Sequence, residues 1–352
     1  MDSTFKVLKP TDERSEEYQA YRTEWDRRGR ELDPGVGPVH LDIETSAVCD
    51  LRCGSTEADP KGFCQIWTHE HTRTLGFAQK TWKPGLMDPK LYRLLIKEAE
   101  RIGVKSVKLN YRGEPSLHPQ LIRFVALASD KFVDVMLNTN GNGGARKKPD
   151  FFVEIVDAGI INLMFSVDAC TPETYRKQRV GGDWSVMLHS VSSACEARAA
   201  GKGHPDCRIR ASVVRTKMNA ADVDSGRMER FWLEQGVDWV SISECYFPGG
   251  VSHPWAQSMW TPMTPAEFQC ADPFRRMIVT WNGMNTFPCC QGFPGAVDGG
   301  HVFKGLLKAW HSPAFAKMRN SHVGRTWEKE SMCRSCPLSH KPTTLGIDSF
   351  TV

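Results

Sequence analysis

The chain carries little net charge: 45 Lys and Arg against 41 Asp and Glu leave a formal +4 at pH 7, too slight to call for a polyanionic partner. Its short basic groups, Arg27-Arg28-Gly-Arg30 and Arg146-Lys147-Lys148, read as solvated faces, so nucleic-acid binding is not expected. Nowhere do enough apolar residues run together to cross a membrane, and the start, Met1-Asp-Ser-Thr-Phe-Lys-Val-Leu-Lys-Pro10, is not apolar enough for a secretory signal; a cytoplasmic protein without a membrane partner is expected. Low-complexity segments and long-period repeats are absent too, which argues against a disordered chain or a solenoid. With 352 residues, 40% of them apolar, the chain has enough material for one large core or two modest ones.

Cysteine, by contrast, is abundant, with twelve residues. In a chain without an export signal this points to metal or redox chemistry rather than to disulfides, because cytosolic thiols are kept reduced. Three of them stand near the front, in Glu44-Thr-Ser-Ala-Val-Cys49-Asp-Leu-Arg-Cys53 and Phe63-Cys64. Three thiolates on one loop with no fourth nearby suit a [4Fe-4S] cluster whose remaining iron stays open to another ligand. A structural zinc site and a set of free thiols are the competing readings.

Residues 1–38 read as an extension. Glu16 to Arg30 places Tyr18, Tyr21 and Trp25 on one helical face, and Pro34-Gly-Val-Gly-Pro38 ends it. From Val39 short β-rich runs alternate with helical stretches. Strands are expected at Val39–Ile43, Ser106–Leu109, Phe132–Leu137, Ile161–Val167, Ile209–Val214 and Trp239–Ile242. Helices fall between them near Pro89–Ile102, Pro119–Ser129, Phe151–Ala158, Trp184–Ala200 and Asp222–Gln235. The alternation favours a parallel sheet with helices outside, an α/β fold of the partial (β/α)6 TIM-like barrel kind over residues 39–250. Barrels of this kind carry their chemistry at the C-terminal strand ends. Beyond about Gly250 the alternation stops and Pro, Gly, Trp and Cys accumulate, marking residues 251–352 as a second, smaller domain.

Cys49, Cys53 and Cys64, together with the segments after the next strands, resemble the radical S-adenosylmethionine (SAM) enzymes. Their usual signature is Cys-x3-Cys-x2-Cys with an aromatic residue before the last cysteine. Here the first spacing is kept and Phe63 precedes Cys64, but ten residues separate Cys53 from Cys64. Ser55 to Gly62, rich in polar and turn residues, reads as an insertion that bulges outward. Asn110-Tyr-Arg-Gly-Glu-Pro115 looks like the family's Gly-Glu-Pro motif, which implies that Glu114 binds the SAM amino group; by itself the run reads equally as a turn. Leu137-Asn-Thr-Asn-Gly141 resembles its Thr-Asn-Gly. Phe165-Ser-Val-Asp168 resembles its Ser-x-Asp, which implies Ser166 and Asp168 at the ribose, helix capping being the alternative for Asp168. The run to Arg179-Val-Gly-Gly182 matches the family's arginine and glycines, with Arg179 as partner of the SAM carboxylate. The resemblance implies reductive cleavage of SAM to methionine and a 5′-deoxyadenosyl radical that takes a hydrogen atom from substrate, with flavodoxin or ferredoxin as electron donor.

In the C-terminal region Cys270, Cys289, Cys333 and Cys336 offer four soft ligands, suited to zinc or to an iron-sulfur cluster. Gly300-His-Val-Phe-Lys-Gly-Leu-Leu-Lys-Ala-Trp310, Arg319 and the Cys333-x2-Cys336 pair resemble the SPASM and Twitch auxiliary domains of the same enzymes, which implies one auxiliary [4Fe-4S] cluster. Cys289 is favoured over Cys290 as its ligand. Cys170, Cys195 and Cys207 read as packing residues. Cys245, after the sixth strand, stands where a thiol would give a hydrogen atom to a substrate radical, or serves as a buried structural thiol. Glu44 and Glu244 at strand ends bind polar substrate groups or face solvent; His69 and His71 read as surface residues. The expected substrate is a small polar metabolite such as a sugar, aminoglycoside or aminocyclitol, undergoing epimerisation or alcohol oxidation. A peptide-modifying maturase is the enzymatic alternative and an iron-sulfur or zinc binding module the non-enzymatic one.

Overall fold

The structure is a computed structural model that describes residues 14–55, 64, 84–245, 259–290, 297–334 and 336–343. Six parallel strands, β1 (His40–Ile43), β2 (Ser106–Lys108), β3 (Asp134–Thr139), β4 (Asn162–Ser166), β5 (Arg208–Arg215) and β6 (Trp239–Glu244), pair in sequence order with helices between them. This is the expected α/β arrangement, a partial barrel. The strands alternate in an unusual sense. Leu41, Ile43, Val107, Val135 and Leu137 are fully buried under the surrounding helices, while the intervening polar residues line the interior of the barrel.

Local signals explain the helices. In α2 (Pro89–Arg101) the Asp88 carboxylate accepts from Lys90 N at 2.6 Å, Pro89 opens the first turn, and Leu91, Tyr92, Leu95, Ile96 and Ala99 form the buried stripe. The helix expected over 222–235 is two helices, Ala220–Asp224 and Arg227–Glu234, because Gly226 between them takes φ +69° and breaks the hydrogen-bond ladder. The third strand lies two residues later than expected, carrying Asn138 and Thr139 into the sheet.

The first helix, α1 (Glu16–Glu31), closes the N-terminal end of the barrel. Tyr21 donates to Ser106 Oγ at 3.1 Å, and Trp25 packs edge-on against His40 with ring centroids 5.7 Å apart. At the other edge the sheet continues beyond the expected six strands. A strand from the C-terminal region, Arg276–Val279, pairs parallel with β1 over its whole length, and Thr286–Phe287 adds an antiparallel strand outside it. A bare β1 would present a row of unpaired backbone groups, and this pairing satisfies them. Among the described residues no helix is long and apolar enough to cross a membrane.

Candidate active site and auxiliary cluster centre

The loop after β1 is clamped from two sides. Glu114 N donates to Val48 O at 2.7 Å, and Gly113 sits so close that a Cβ there would lie 2.5 Å from Ser46 O and 2.7 Å from Val48 O. With its φ of +68°, this position admits only glycine without displacement. On the other side Arg52 N donates to Val180 O at 2.9 Å and Gly54 N to Gln178 O at 2.8 Å. The loop is thereby fixed between the end of β2 and the segment carrying Arg179. Within it Cys53 is buried and Cys49 and Cys64 are half-buried. Burial pushes the Cys49 thiol above its ordinary range, and the charges of Glu114, Cys53 and Cys64 add to the rise. The three sulfurs thus share one electrostatic environment, which a cation among them reverses. Phe63 and most of the 55–62 insertion lie outside the described residues.

Glu114 is buried, and its carboxylate joins the two motif loops. Oε1 accepts from Thr139 Oγ1 at 2.6 Å and from Ser116 N at 2.9 Å, while Oε2 accepts from Asn140 N at 2.6 Å. The Thr-Asn-Gly segment is held in turn by Asn140 Nδ2, which donates to Asp50 Oδ1 at 2.8 Å. Arg146 Nη1 pairs with the other oxygen of Asp50 at 3.1 Å. Asp50, Asn140 and Arg146 thus brace the cysteine loop, a role that sequence reasoning missed; Arg146 was expected on a solvated face. The hint available was only the lone acid between Cys49 and Cys53.

Asp168 is buried in the left-handed region at φ +55°. It does not cap the following helix: Thr171 does, accepting from Thr174 N at 3.2 Å. Asp168 Oδ1 instead accepts from Val214 N at 2.6 Å, and Oδ2 pairs with Arg179 Nη2 at 2.7 Å. Arg179 also lies 3.5 Å from Cys53 Sγ. Burial opposes its charge, but the Asp168 carboxylate and the Cys53 sulfur outweigh that penalty and hold the pKa above its ordinary value. Ser166 ends β4, half-buried and on the same strand face as the lumen residue Met164. Cys245 follows β6 and is buried; burial, then the Asp168 and Glu244 charges, push its thiol up to about 12. Glu44 is buried, with burial raising its carboxyl to about 6, whereas Glu244 is half-buried and pairs with Arg215 at 3.3 Å.

The C-terminal cysteines gather separately. Cys270, Cys289, Cys290, Cys333 and Cys336 line one cavity together with His322. Cys289 interacts with all four of the others, whereas Asp272, Arg276 and Lys108 dominate around Cys290. Both cysteines border the cavity, but the surroundings of Cys289 are the more uniformly sulfur. His322 was not anticipated. Its Nδ1 accepts from Cys270 N at 3.2 Å, its Nε2 lies 3.5 Å from Cys333 Sγ, and burial lowers its pKa to about 4. The Asn110–Pro115 loop lies between the two regions: the Glu114 charge acts on Cys49, and Tyr111 lies in the field of Cys289 and Cys290.

Two family models match these regions: the radical SAM superfamily over residues 43–201 and an iron-sulfur cluster-binding domain, SPASM, over residues 270–337. The chain carries a radical SAM domain joined to a SPASM-type domain. Its cofactors are accordingly a [4Fe-4S] cluster and SAM, with auxiliary iron-sulfur in the SPASM domain. The thiol side chains of the two regions suit iron-sulfur centres by their chemistry, while among the described residues no three Cys, His, Asp or Glu side chains are gathered closely enough to hold a single metal ion.

Curated relatives include GTP 3′,8-cyclase of Alkaliphilus oremlandii, 23% identical over 44% of this chain and 42% of its own length. Another is the mycofactocin maturase MftC of Mycobacterium tuberculosis, 26% identical over 40% of this chain and 33% of its own. The matched part therefore spans less than half of these relatives. Among solved structures, Streptococcus suis SuiB bound to S-adenosylmethionine matches with a TM-score of 0.60 at 17% identity, covering 91% of this chain and 75% of SuiB. BtrN in complex with AdoMet and 2-DOIA matches with a TM-score of 0.50 at 15% identity, covering 85% and 92%. At these identities the two structures bear on fold alone.

Proposed function

We propose that this radical SAM enzyme acts on a small polar substrate held in the barrel lumen, and that Cys245 returns a hydrogen atom to it, giving epimerisation. Cys49, Cys53 and Cys64 would hold the cluster, Arg179 and Ser166 would bind SAM, and Glu114 and Asp168 would fix the segments that present them. Bound there, these cofactors supply abstraction of a hydrogen atom from a substrate carbon. The observation that carries the reading is the placement of Cys245, buried directly after β6 at the C-terminal strand ends with its N donating to Arg215 O at 2.9 Å. A hydrogen-atom donor must be a thiol rather than a thiolate, a form that burial of Cys245 favours further. Donation leaves a sulfur radical, and one electron and one proton from an external reductant restore the thiol.

Alcohol oxidation is the second reading. It is favoured by Tyr111, whose ring lies in the field of Cys289 and Cys290 on the same loop as Glu114, whose charge acts on Cys49, a segment between the two centres along which an electron would leave the substrate. Peptide modification, suggested by the maturase relative, has no comparable feature in the described residues.

The test is Cys245→Ala in the reconstituted enzyme, supplied with SAM, dithionite and a panel of sugars and cyclitols. Epimerisation predicts that 5′-deoxyadenosine still forms while the inverted product and its solvent deuterium are lost. Full product formation by the variant would sink the donor role. An oxidised product from both proteins would favour the second reading.

A further inference from the structure

Inside the barrel, above α1, lies a cavity of about 390 Å3 with an uneven charge. Six of its lining residues are basic: Arg14, Arg22, Lys108, Arg208, Arg210 and Arg276; among the described residues lining it, Asp134 is the one carboxylate. Asp42, in the strand between them, takes up Lys108 at 2.9 Å and Arg276 at 2.5 Å. Arg14 and Arg22 lie over tyrosine and tryptophan rings of α1, and Arg208 donates to Cys207 O at 3.2 Å. Arg210 differs from all of these. Its contacts are the thioether of Met164 and the Trp239 ring, 5.7 Å from the guanidinium carbon. No carboxylate pairs with it among the described residues, and burial alone pulls its pKa below the ordinary arginine value. A guanidinium in this position has lost water without gaining a counter-charge, an arrangement that an incoming anion would relieve.

We propose that the lumen binds an oxyanion of the substrate, a carboxylate or a phosphate, with Arg210 as its principal partner. The proposal rests on the reading that substrate is held in the lumen, and it narrows the substrate's class. Arg210 stands level with Met164 and Asn138 across the sheet, and the end of β4 at Ser166, paired with Ser212, lies two residues further, about 7 Å at the usual rise per residue. An anion seated on Arg210 therefore puts the other end of a molecule several atoms long at the level of Ser166, where SAM is expected. A cationic aminoglycoside or aminocyclitol would meet like charge here, so an acidic or phosphorylated sugar is the better fit.

The experiment titrates the reconstituted full chain with inorganic phosphate and with malonate by calorimetry, alongside Arg210→Gln, Met164→Glu and the exposed control Lys147→Gln. Wild type and the control bind at least one of the two anions; phosphate alone identifies a phosphate ester, malonate alone a carboxylate, both a site open to either. Arg210→Gln weakens binding by about tenfold or more, as expected for loss of a charge-assisted fork. Met164→Glu does the same by a different route, since its carboxylate occupies Arg210 from within, and it decides the matter if Arg210→Gln fails to fold. Binding by both variants equal to wild type, or none by wild type, overturns the proposal. Measured on the same preparation, SAM cleavage without anion binding removes this inference alone, whereas anion binding without SAM cleavage removes the proposed reaction alone.

Discussion

Glu44 offers a quantitative check on the site. It ends β1, is buried, accepts from Trp281 N at 3.1 Å and lies in the field of Arg112. Burial is the largest influence and outweighs both favourable contacts, raising the carboxyl from 4.5 to about 6. A carboxyl with a higher pKa folded than unfolded keeps its proton in the native state through that window, while the unfolded chain has already lost its own. Stability therefore falls as pH rises from about 4.5 to 6 and stays lower above it. At 1.36 kcal/mol per unit, the shift corresponds to about 2 kcal/mol. Glu44→Gln keeps the size and the acceptor for Trp281 N–H while removing the charge. Urea midpoints for both proteins from pH 4 to 8 should diverge through this window, with the variant more stable by about 2 kcal/mol at pH 8 and the two converging near pH 4. Parallel curves, or a variant less stable at pH 8, would refute the reasoning and mean that Glu44 is held ionised by a charge stronger than Arg112.

Cys289→Ser should lower the iron content by about four per chain relative to wild type, while Cys290→Ser should leave it near the wild-type value; the reverse pattern would assign the ligand to Cys290. Gly113→Ala should displace the cysteine loop, since φ +68° and a 2.5 Å approach to Ser46 O both oppose a side chain. The strained backbone alone costs about 1–2 kcal/mol, and iron content with the electron paramagnetic resonance signal of the reduced cluster should both drop. Wild-type loading in that variant would show that the loop yields easily.

Much of this was readable in the chain. The strand-helix alternation located all six barrel strands because each is a short β-rich run between helical stretches, and Cys49, Glu114, Arg179 and Cys333 stood in recognisable motifs. The strand Arg276–Val279 was not readable: four residues in a stretch rich in Pro, Gly and Cys carry too little pattern, and only the free edge of β1 makes them a strand. The Asp50–Asn140–Arg146 brace joins residues about ninety positions apart, a proximity that no local signal encodes. The charged lumen was visible only as alternation, His40-Leu-Asp42-Ile43, and nothing local tells which face turns inward.

The pairing of β1 with Arg276–Val279 also bears on how the molecule is assembled in time. The strand that leads into the cysteine loop is the first of the barrel to leave the ribosome, yet its neighbour on one side is made more than two hundred residues later. Until then β1 has an open edge, and the cysteine loop beyond it lacks its anchor at Trp281. The edge of β1 is thus completed only when the SPASM region has been made, and a chain truncated after β6 should accumulate with a sticky sheet edge rather than as a smaller working enzyme.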